Sequence, residues 1–237
     1  MKRIVRTIAA VVALAPSVAS AQALVCIPPN APPRPVPDLP TASQPQRVLP
    51  IGGYTLAITW SPQFCRTGGF TPTARFRCGD GNRFGFTLHG LWPDGEGKDW
   101  PQYCRATTVL PPATVKGVMC ATPSAQLIQH EWAKHGTCTG LTPGGYFGKS
   151  SALYAKLRYP DMNALSRGPL TVGQFTAAFA AANPGVPAGA VRVTATRGWL
   201  DEIWLCLDTR LNYARCKAGT GGLAANASLK IWRGKRR

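Results

Sequence analysis

The stretch HEWAKHGTC, residues 130–138, places two histidines, a glutamate and a lysine within a few positions of one another. It differs from the metal-binding pattern H-E-x-x-H because its second histidine stands at i+5 rather than i+4. On an α-helix that turns about 100° per residue, His130 and His135 would lie about 140° apart. This separation is too wide for neighbouring ligands of one ion, so the spacing argues against a zinc site.

The same stretch gathers its polar groups on one side of a helix that we predict over residues 125–135. At about 100° per residue, these side chains fall within an arc of about 140°. They are His130, Glu131, Lys134 and His135. An arc of this kind presents polar groups to a cleft, and the lysine within it favours an anion over a metal ion.

Histidine is scarce in this chain, which contains only three. The third, His89, lies in FTLHGLWPDG, where alternating apolar residues predict a strand over residues 83–92. Period two places His89 on the face opposite Phe86 and Leu88. A lone histidine is usually a packing or surface residue, and a helix of this kind often forms surface salt bridges. The clustering of so few titratable groups nevertheless favours a functional site.

These residue types suit the cleavage of RNA through its own 2′-hydroxyl group. The reaction needs a base for the 2′-hydroxyl proton, an acid for the departing 5′-oxygen, and positive charge for the growing negative charge on phosphorus. Two imidazoles can perform both proton transfers, and an ammonium group can supply the charge. No metal ion and no cofactor are required.

Two segments of the chain, HGLWPDG at 89–95 and HEWAKHGTC at 130–138, resemble the two active-site segments of the ribonuclease T2 family. That family consists of secreted, transferase-type endoribonucleases. The order and spacing of the segments are similar as well, as is a leading strand that ends at Trp60. The resemblance covers roughly residues 52–216 and leaves the preceding proline-rich arm without a counterpart.

The resemblance implies a catalytic role for each residue of the cluster. His135 would be the general base on the 2′-hydroxyl, and His89 would be the general acid for the 5′-oxygen. Glu131 and Lys134 would stabilise the phosphorane-like transition state. His130 would hold the phosphate.

Trp92 and Asp94 look like base-site residues of the family, one for stacking and one to accept a hydrogen bond from an exocyclic amine. Both residues also have structural interpretations that the sequence leaves open. Trp92 could pack beneath His89, and Asp94, which precedes a glycine, could form a turn.

Eight cysteines in an exported chain favour disulfides over a zinc site, which would normally need a C-x-x-C pair that this sequence lacks. Eight cysteines allow 105 pairings, and their spacing does not choose among them. The family resemblance implies Cys104–Cys138, Cys65–Cys78 and Cys206–Cys216, and leaves Cys26 and Cys120.

The chain begins with a positive segment, a short apolar run and small residues that predict a secretory signal peptide cleaved after Ala21 or Ala23. The apolar run is much shorter than the ~20 residues needed to cross a bilayer, so we expect no membrane insertion. The predicted organisation is a signal peptide at 1–23, a proline-rich extended arm at 24–50, a ribonuclease domain at 51–218 and a basic tail at 219–237.

The formal charge of +17 falls to +14 when the three positive charges of the signal segment are removed. An exported protein with this charge favours a polyanionic partner such as RNA, DNA or anionic glycans, or an anionic membrane surface. A surface tuned only for solubility is the alternative interpretation.

The predicted strands and helices are mixed without a regular βαβ rhythm, which indicates an α+β fold. We expect a single domain with a central, mainly antiparallel sheet packed by helices and stapled by disulfides. The strand candidates are 54–60, 83–92, 190–196 and 200–209, and the helix candidates are 125–135, 146–157 and 171–183.

The sequence therefore predicts a secreted or periplasmic, monomeric endoribonuclease that uses neither metal ion nor cofactor. Its substrate would be single-stranded RNA. It would yield 2′,3′-cyclic phosphates and then 3′-phosphates. A catalytically silent polyanion-binding protein on the same fold is the second hypothesis, and a zinc hydrolase is the third.

Overall fold

The computed structural model describes residues 23–69, 71–79 and 81–234. Its strands are β1 (Ala23–Val25), β2 (Ile51–Trp60), β3 (Arg83–Phe84), β4 (Phe86–Gly95), β5 (Val191–Thr196) and β6 (Trp199–Leu207). Its α-helices are α1 (Ser61–Gly68), α2 (Arg75–Cys78), α3 (Pro112–Val118), α4 (Ala125–His130), α5 (Pro143–Lys156), α6 (Met162–Leu165) and α7 (Val172–Ala182). Short 3₁₀ turns occupy Pro72–Ala74, Gly136–Cys138 and Ala188–Ala190, and a π-helix spans Glu131–His135.

Four strands form the central sheet in the order β4-β2-β6-β5, and every neighbouring pair is antiparallel. The predicted α+β class and antiparallel sheet are confirmed. Side chains alternate between the two faces, so Leu56 and Ile58 of β2 lie in the core with Ile203 and Leu205 of β6. The opposite face of the same strands is free to carry polar groups.

Helices cover the apolar face of the sheet. Phe175 and Phe179, one turn apart on α7, are fully buried. This helix begins as predicted at Thr171, where a capping box with Gln174 satisfies two backbone N–H groups. Helix α4 also begins at its predicted N-cap, because Ser124 accepts a hydrogen bond from the first turn.

Four disulfides join the elements. Three pairs are those that the family resemblance implied, and the fourth joins the two cysteines that it left over, Cys26 and Cys120. The four bonds are Cys26–Cys120, Cys65–Cys78, Cys104–Cys138 and Cys206–Cys216. The Cys104–Cys138 bond lies just after the second histidine motif and ties it to the preceding loop. The Cys26–Cys120 bond fixes the start of the proline-rich arm, which continues without helix or strand until β2.

Part of the predicted basic tail belongs to the packed domain. Leu229 and Ile231 are buried, and the indole of Trp60 donates a hydrogen bond to the carbonyl of Trp232 at 2.6 Å. At the other end, the predicted signal peptide lies outside the described residues except for Ala23. Within the described part of the chain, no helix is both long enough and apolar enough to span a bilayer.

Candidate active site

Strand β4 carries the first histidine on the face of the sheet that points away from the core. Its pairing with β2 skips one residue between Leu88 and Gly90, so His89 is the extra residue of a β-bulge. Strict alternation would place Trp92 on the opposite face from His89. The bulge reverses this relation, and the two rings lie edge to face with centroids 5.0 Å apart.

A glutamate of β6 holds His89 in place. Glu202 Oε1 lies 2.7 Å from His89 Nδ1 and also accepts from the hydroxyl of Thr59, while Oε2 accepts from the indole of Trp204. Burial alone would raise the pKa of Glu202, but hydrogen bonds from His89, Trp204 and Thr59 outweigh it and lower the pKa to about 2.

The same pair favours the charged form of the histidine. Burial opposes the charge of His89, but the Glu202 hydrogen bond and the negative charges of Glu131 and Glu202 outweigh burial. The pKa of His89 is therefore raised above its ordinary value of 6.5. An imidazole with these surroundings is ready to donate a proton.

The second histidine motif does not continue as an α-helix. After α4, Glu131–His135 form a π-helix, and the N–H of Gly136 reaches back to the carbonyl of Glu131. Residues five apart lie about one turn apart in a π-helix. His130 and His135 consequently face the same pocket, with ring centroids 6.1 Å apart. The predicted separation of about 140° is wrong, because it assumed α-helical geometry throughout.

Glu131 lies at the centre of the cluster and is almost completely buried. Its Oε2 accepts a hydrogen bond from Trp92 Nε1 at 3.0 Å, and its Oε1 lies 3.6 Å from His89 Nε2. The carboxylate packs directly on Gly90, where a Cβ atom would lie only 1.6 Å from Oε2. Burial raises the pKa of Glu131 to about 7, against the opposing charges of His89 and Lys134.

His135 has the opposite electrostatic setting from His89. Its ring is buried and stacks on Trp92 with centroids 5.6 Å apart. Burial, and then the positive charge of Lys134 and the neighbouring histidines, lowers the pKa of His135 well below 6.5. The ring is therefore neutral at pH 7 and can accept a proton. Its Nδ1 atom has no hydrogen-bond partner among the described residues.

Lys134 supplies positive charge at the edge of this pocket and is half-buried. Burial lowers the pKa of its ammonium group, while the negative charges of Glu131 and Asp38 oppose that shift. His130 is also only partly buried, and its Nδ1 lies 2.7 Å from Asp38 Oδ2. Burial and the charge of Lys134 lower the pKa of His130, and Asp38 partly compensates.

The predicted base-site residues follow on the same strand. Trp92 donates to Glu131 and packs against His89 and His135, so its contacts favour the packing interpretation, although base stacking stays a prediction. Asp94 accepts a hydrogen bond from the hydroxyl of Thr55 at 2.8 Å. Burial raises the pKa of Asp94, and its role towards a base also stays a prediction.

Three side chains come close enough to share a metal ion, because donor atoms of His130, Glu131 and His135 lie within 4.8 Å of one another. The i+5 spacing of the two histidines therefore does not exclude a metal ion. The other contacts point to an anion instead. Glu131 and His130 each have one possible ligand atom in a hydrogen bond within the protein. The ammonium group of Lys134, which lies beside Glu131, would repel a metal ion.

Sequence reasoning missed two carboxylates of this pocket. Glu202 had a usable signal, since it alternates with Ile203 and Leu205 in a strand and must face away from the core. Asp38 had none, because it lies in a proline-rich segment 92 residues away from the histidine that it contacts.

The geometry agrees with a comparison of the chain with known protein families. The sequence profile described as the ribonuclease T2 family matches residues 51–216, which include both histidine motifs and Glu202. The chain belongs to the ribonuclease T2 family. The match begins at the first strand of the central sheet and leaves out the proline-rich arm.

Individual T2 relatives are similar over parts of their lengths. A ribonuclease of Aeromonas hydrophila is 33% identical over 163 residues, which are 65% of this chain and 71% of that protein. A probable ribonuclease of Haemophilus influenzae is 33% identical over 132 residues, which are 51% of this chain. The matched region spans about half of that relative, 48% of its length.

Solved structures share the T2 fold. The RNase-related protein from Calystegia sepium has a TM-score of 0.59 at 21% identity and covers 76% of this chain and 96% of its own. RNase NT in complex with 5′-AMP has a TM-score of 0.56 at 20% identity and covers 77% of this chain and 98% of its own. At these identities the likeness shows the fold alone.

Proposed function

We propose that this protein is an exported endoribonuclease that cleaves single-stranded RNA without a metal ion. One observation carries the proposal. His89 and His135 lie against the same Trp92 ring, yet their surroundings shift their pKa values in opposite directions. A pair of imidazoles prepared in this way is suited to act as acid and base in one reaction.

In the first step, neutral His135 takes the proton of the 2′-hydroxyl as that oxygen forms a bond to phosphorus. The bond from phosphorus to the 5′-oxygen breaks, and His89 gives its proton to the departing oxygen. The products are a 2′,3′-cyclic phosphate and a free 5′-hydroxyl. Glu202 supports this step by keeping His89 charged beforehand.

Negative charge grows on the phosphoryl oxygens between these proton transfers. Lys134 offers an ammonium group at the edge of the pocket, and His130 offers a ring nitrogen to the phosphate. Glu131, with a pKa of about 7, can carry a proton to share with a phosphoryl oxygen through Oε1, which has no hydrogen-bond partner among the described residues. These three groups would stabilise the transition state.

In the second, slower step, water opens the cyclic phosphate with the roles reversed. His89, now neutral, takes a proton from water, and His135 returns its proton to the 2′-oxygen. The product is a 3′-phosphate, and both histidines regain their starting charges. Each full cycle therefore needs no external proton carrier.

The compartment and partners follow from different features. Four disulfides and the positive, apolar and small-residue pattern at the N-terminus support export to the periplasm or the medium. The charge of +14 on the processed chain supports a polyanionic substrate. The fold shared with RNase NT, which was solved with 5′-AMP, supports nucleotide binding. We expect a monomer that does not insert into membranes.

Digestion of a defined single-stranded RNA in EDTA tests the proposal. We expect full activity in the chelator, cyclic phosphate ends by mass spectrometry, and no cleavage of the matching DNA, which lacks the 2′-hydroxyl. The His135→Ala variant, purified in parallel, shows that the cleavage does not come from a contaminant. Loss of cleavage in EDTA with recovery in zinc would contradict metal independence. RNA binding without cleavage would favour the silent polyanion-binding protein.

A further inference from the structure

The proline-rich arm, residues 24–50, precedes the family match and still contributes a side chain to the candidate active site. Asp38 Oδ2 lies 2.7 Å from Nδ1 of His130, the residue proposed to hold the phosphate. The hydroxyl of Tyr103 donates to the same oxygen at 3.3 Å. A segment outside the region matched by the family therefore contacts the pocket directly.

The arm is held on both sides of Asp38. On one side, the amide of Gln126 accepts from the N–H of Val36 at 2.9 Å and donates to its carbonyl at 3.3 Å. On the other side, the amide of Gln102 donates to the carbonyl of Pro45 at 2.7 Å. Gln126 precedes His130 by one turn of α4, so the two hydrogen bonds to Val36 and the Asp38 carboxylate contact the same face of this helix. The position of Asp38 is thus set by the fold.

Tyr103 adds an independent sign that this contact is functional. Its backbone lies in the left-handed region, with φ of 50°, which is unfavourable for an aromatic residue. Its N–H donates to the carbonyl of Lys134, while its hydroxyl holds Asp38. The adjacent Cys104 is in the disulfide with Cys138. Tyr103 therefore links the arm to the π-helix that carries Lys134 and His135.

A carboxylate on one ring nitrogen determines what the other nitrogen can do. When Nδ1 of His130 donates to Asp38, the ring cannot rotate freely, and the neutral ring carries its proton on Nδ1. Nε2 is then the nitrogen left for a phosphate, and it donates to a phosphate oxygen once the ring takes up a second proton. Burial lowers the pKa of His130, and so do the positive charges of Lys134 and His89 that face the same ring. The charge of Asp38 opposes these effects and favours the imidazolium form that the donation requires.

We propose that Asp38 is a positioning residue of this enzyme, which holds His130 so that its Nε2 atom receives the substrate phosphate. The proposal rests on the proposed function, because it takes His130 as the phosphate-holding group. The arm is then part of the catalytic unit. Its carboxylate acts through His130 and does not touch the reacting atoms.

The tautomer of His130 tests the contact without any use of activity. We expect ¹⁵N–¹H spectra of the full-length processed protein, at a pH where His130 is neutral, to show its proton on Nδ1. Asp38→Ala should move that proton to Nε2, whereas Asp38→Asn should keep it on Nδ1 because the amide oxygen can still accept. His130→Ala identifies the signals. An unchanged tautomer in Asp38→Ala would overturn the proposal.

Steady-state kinetics on one dinucleotide test the consequence. Asp38→Ala should raise KM about tenfold with kcat nearly unchanged, in line with the loss of a charge-assisted hydrogen bond, and Asp38→Asn should recover part of the loss. Asp99→Ala is the matched control, since it removes an exposed carboxylate that pairs with Arg47 instead of a histidine. Its KM should stay close to the wild-type value.

The outcomes distinguish positioning from competition with the substrate phosphate, and they distinguish failure of this proposal from failure of the proposed function. Higher activity in Asp38→Ala would overturn positioning and show that the carboxylate competes with phosphate for His130. An unchanged KM would overturn it as well. If the wild-type protein cleaves no RNA, the proposed function fails, while the tautomer of His130 still decides whether Asp38 positions that ring.

Discussion

At the scale of single residues, the pocket gives its three histidines three different surroundings. Glu202 stabilises the charged form of His89, burial keeps His135 neutral, and Asp38 fixes one nitrogen of His130. The residue types are the same, so the difference comes entirely from their neighbours. Each ring can therefore be tested separately by removing the group that prepares it.

Substitutions within the cluster should separate its roles. His89→Ala and His135→Ala should each lower kcat by roughly 10²-fold to 10⁴-fold, the usual contribution of a positioned acid or base. His130→Ala should act mainly on KM, because the phosphate is bound in the ground state and the transition state alike. Lys134→Ala should lower kcat with little change in KM. Near-normal kcat in either His89→Ala or His135→Ala would contradict the assignment.

The pH profile should report the contact between Glu202 and His89. Glu202→Gln removes a negative charge and should lower the pKa of His89, which is raised in the wild type. A general acid must be protonated, so its pKa sets the pH at which activity is lost on the basic side of the profile. A lower pKa of His89 should move that loss of activity to lower pH, and the bell-shaped profile of kcat/KM should become narrower. Asp201→Asn, one residue away on β6, is the control. Identical profiles for the two variants would contradict the role of Glu202.

At the scale of elements, two irregularities bring the candidate catalytic groups together. The bulge at His89 in β4 turns Trp92 towards the same face, and the π-helix turns His130 and His135 into one pocket. Both insert one residue into a regular element and redirect the side chains that follow. Regular versions of the strand and helix would separate the groups.

Gly90 of β4 packs against Glu131 of the π-helix, and a substitution there tests whether this close contact matters. Gly90→Ala places a Cβ atom 1.6 Å from Glu131 Oε2, so the carboxylate must move away from His89 and Trp92. We expect kcat to fall about tenfold or more, with a lower unfolding temperature. Gly97→Ala is the control, because an added Cβ there meets no atom within 4 Å. Equal behaviour of the two variants would show that the close approach is unimportant.

At the scale of the whole molecule, the relevant features are the net charge and the long-range disulfide. The chain carries +17, and +14 without its predicted signal segment, so its net positive charge attracts polyanions of any sequence. The disulfide from Cys26 to Cys120 closes a loop of 94 residues that includes the arm, β2 and β4. The arm and the strand that carries His89 therefore lie within one covalent loop.

The charge predicts how binding depends on salt. Affinity for single-stranded RNA should fall with added KCl, with log K decreasing by ~0.7 per phosphate contact for each unit of log salt concentration. The His135→Ala variant permits this measurement by fluorescence anisotropy, because the RNA stays intact. A flat dependence would show that the basic surface takes no part in binding.

The sequence by itself determined the family, the fold class and the groups available for chemistry. The two histidine motifs are local, and a short stretch that carries several required groups at fixed spacing is informative without its surroundings. Local capping and alternation likewise predicted the start of α4, the start of α7 and most strands of the sheet.

Only the tertiary structure decided how those groups meet. The periodicity of the sequence does not predict the π-helix or the bulge, because each adds one residue to an otherwise regular element. Glu202 and Asp38 reach His89 and His130 across 113 and 92 residues of sequence. Contacts at such separations depend on how the whole chain packs, because only the folded core brings those segments together.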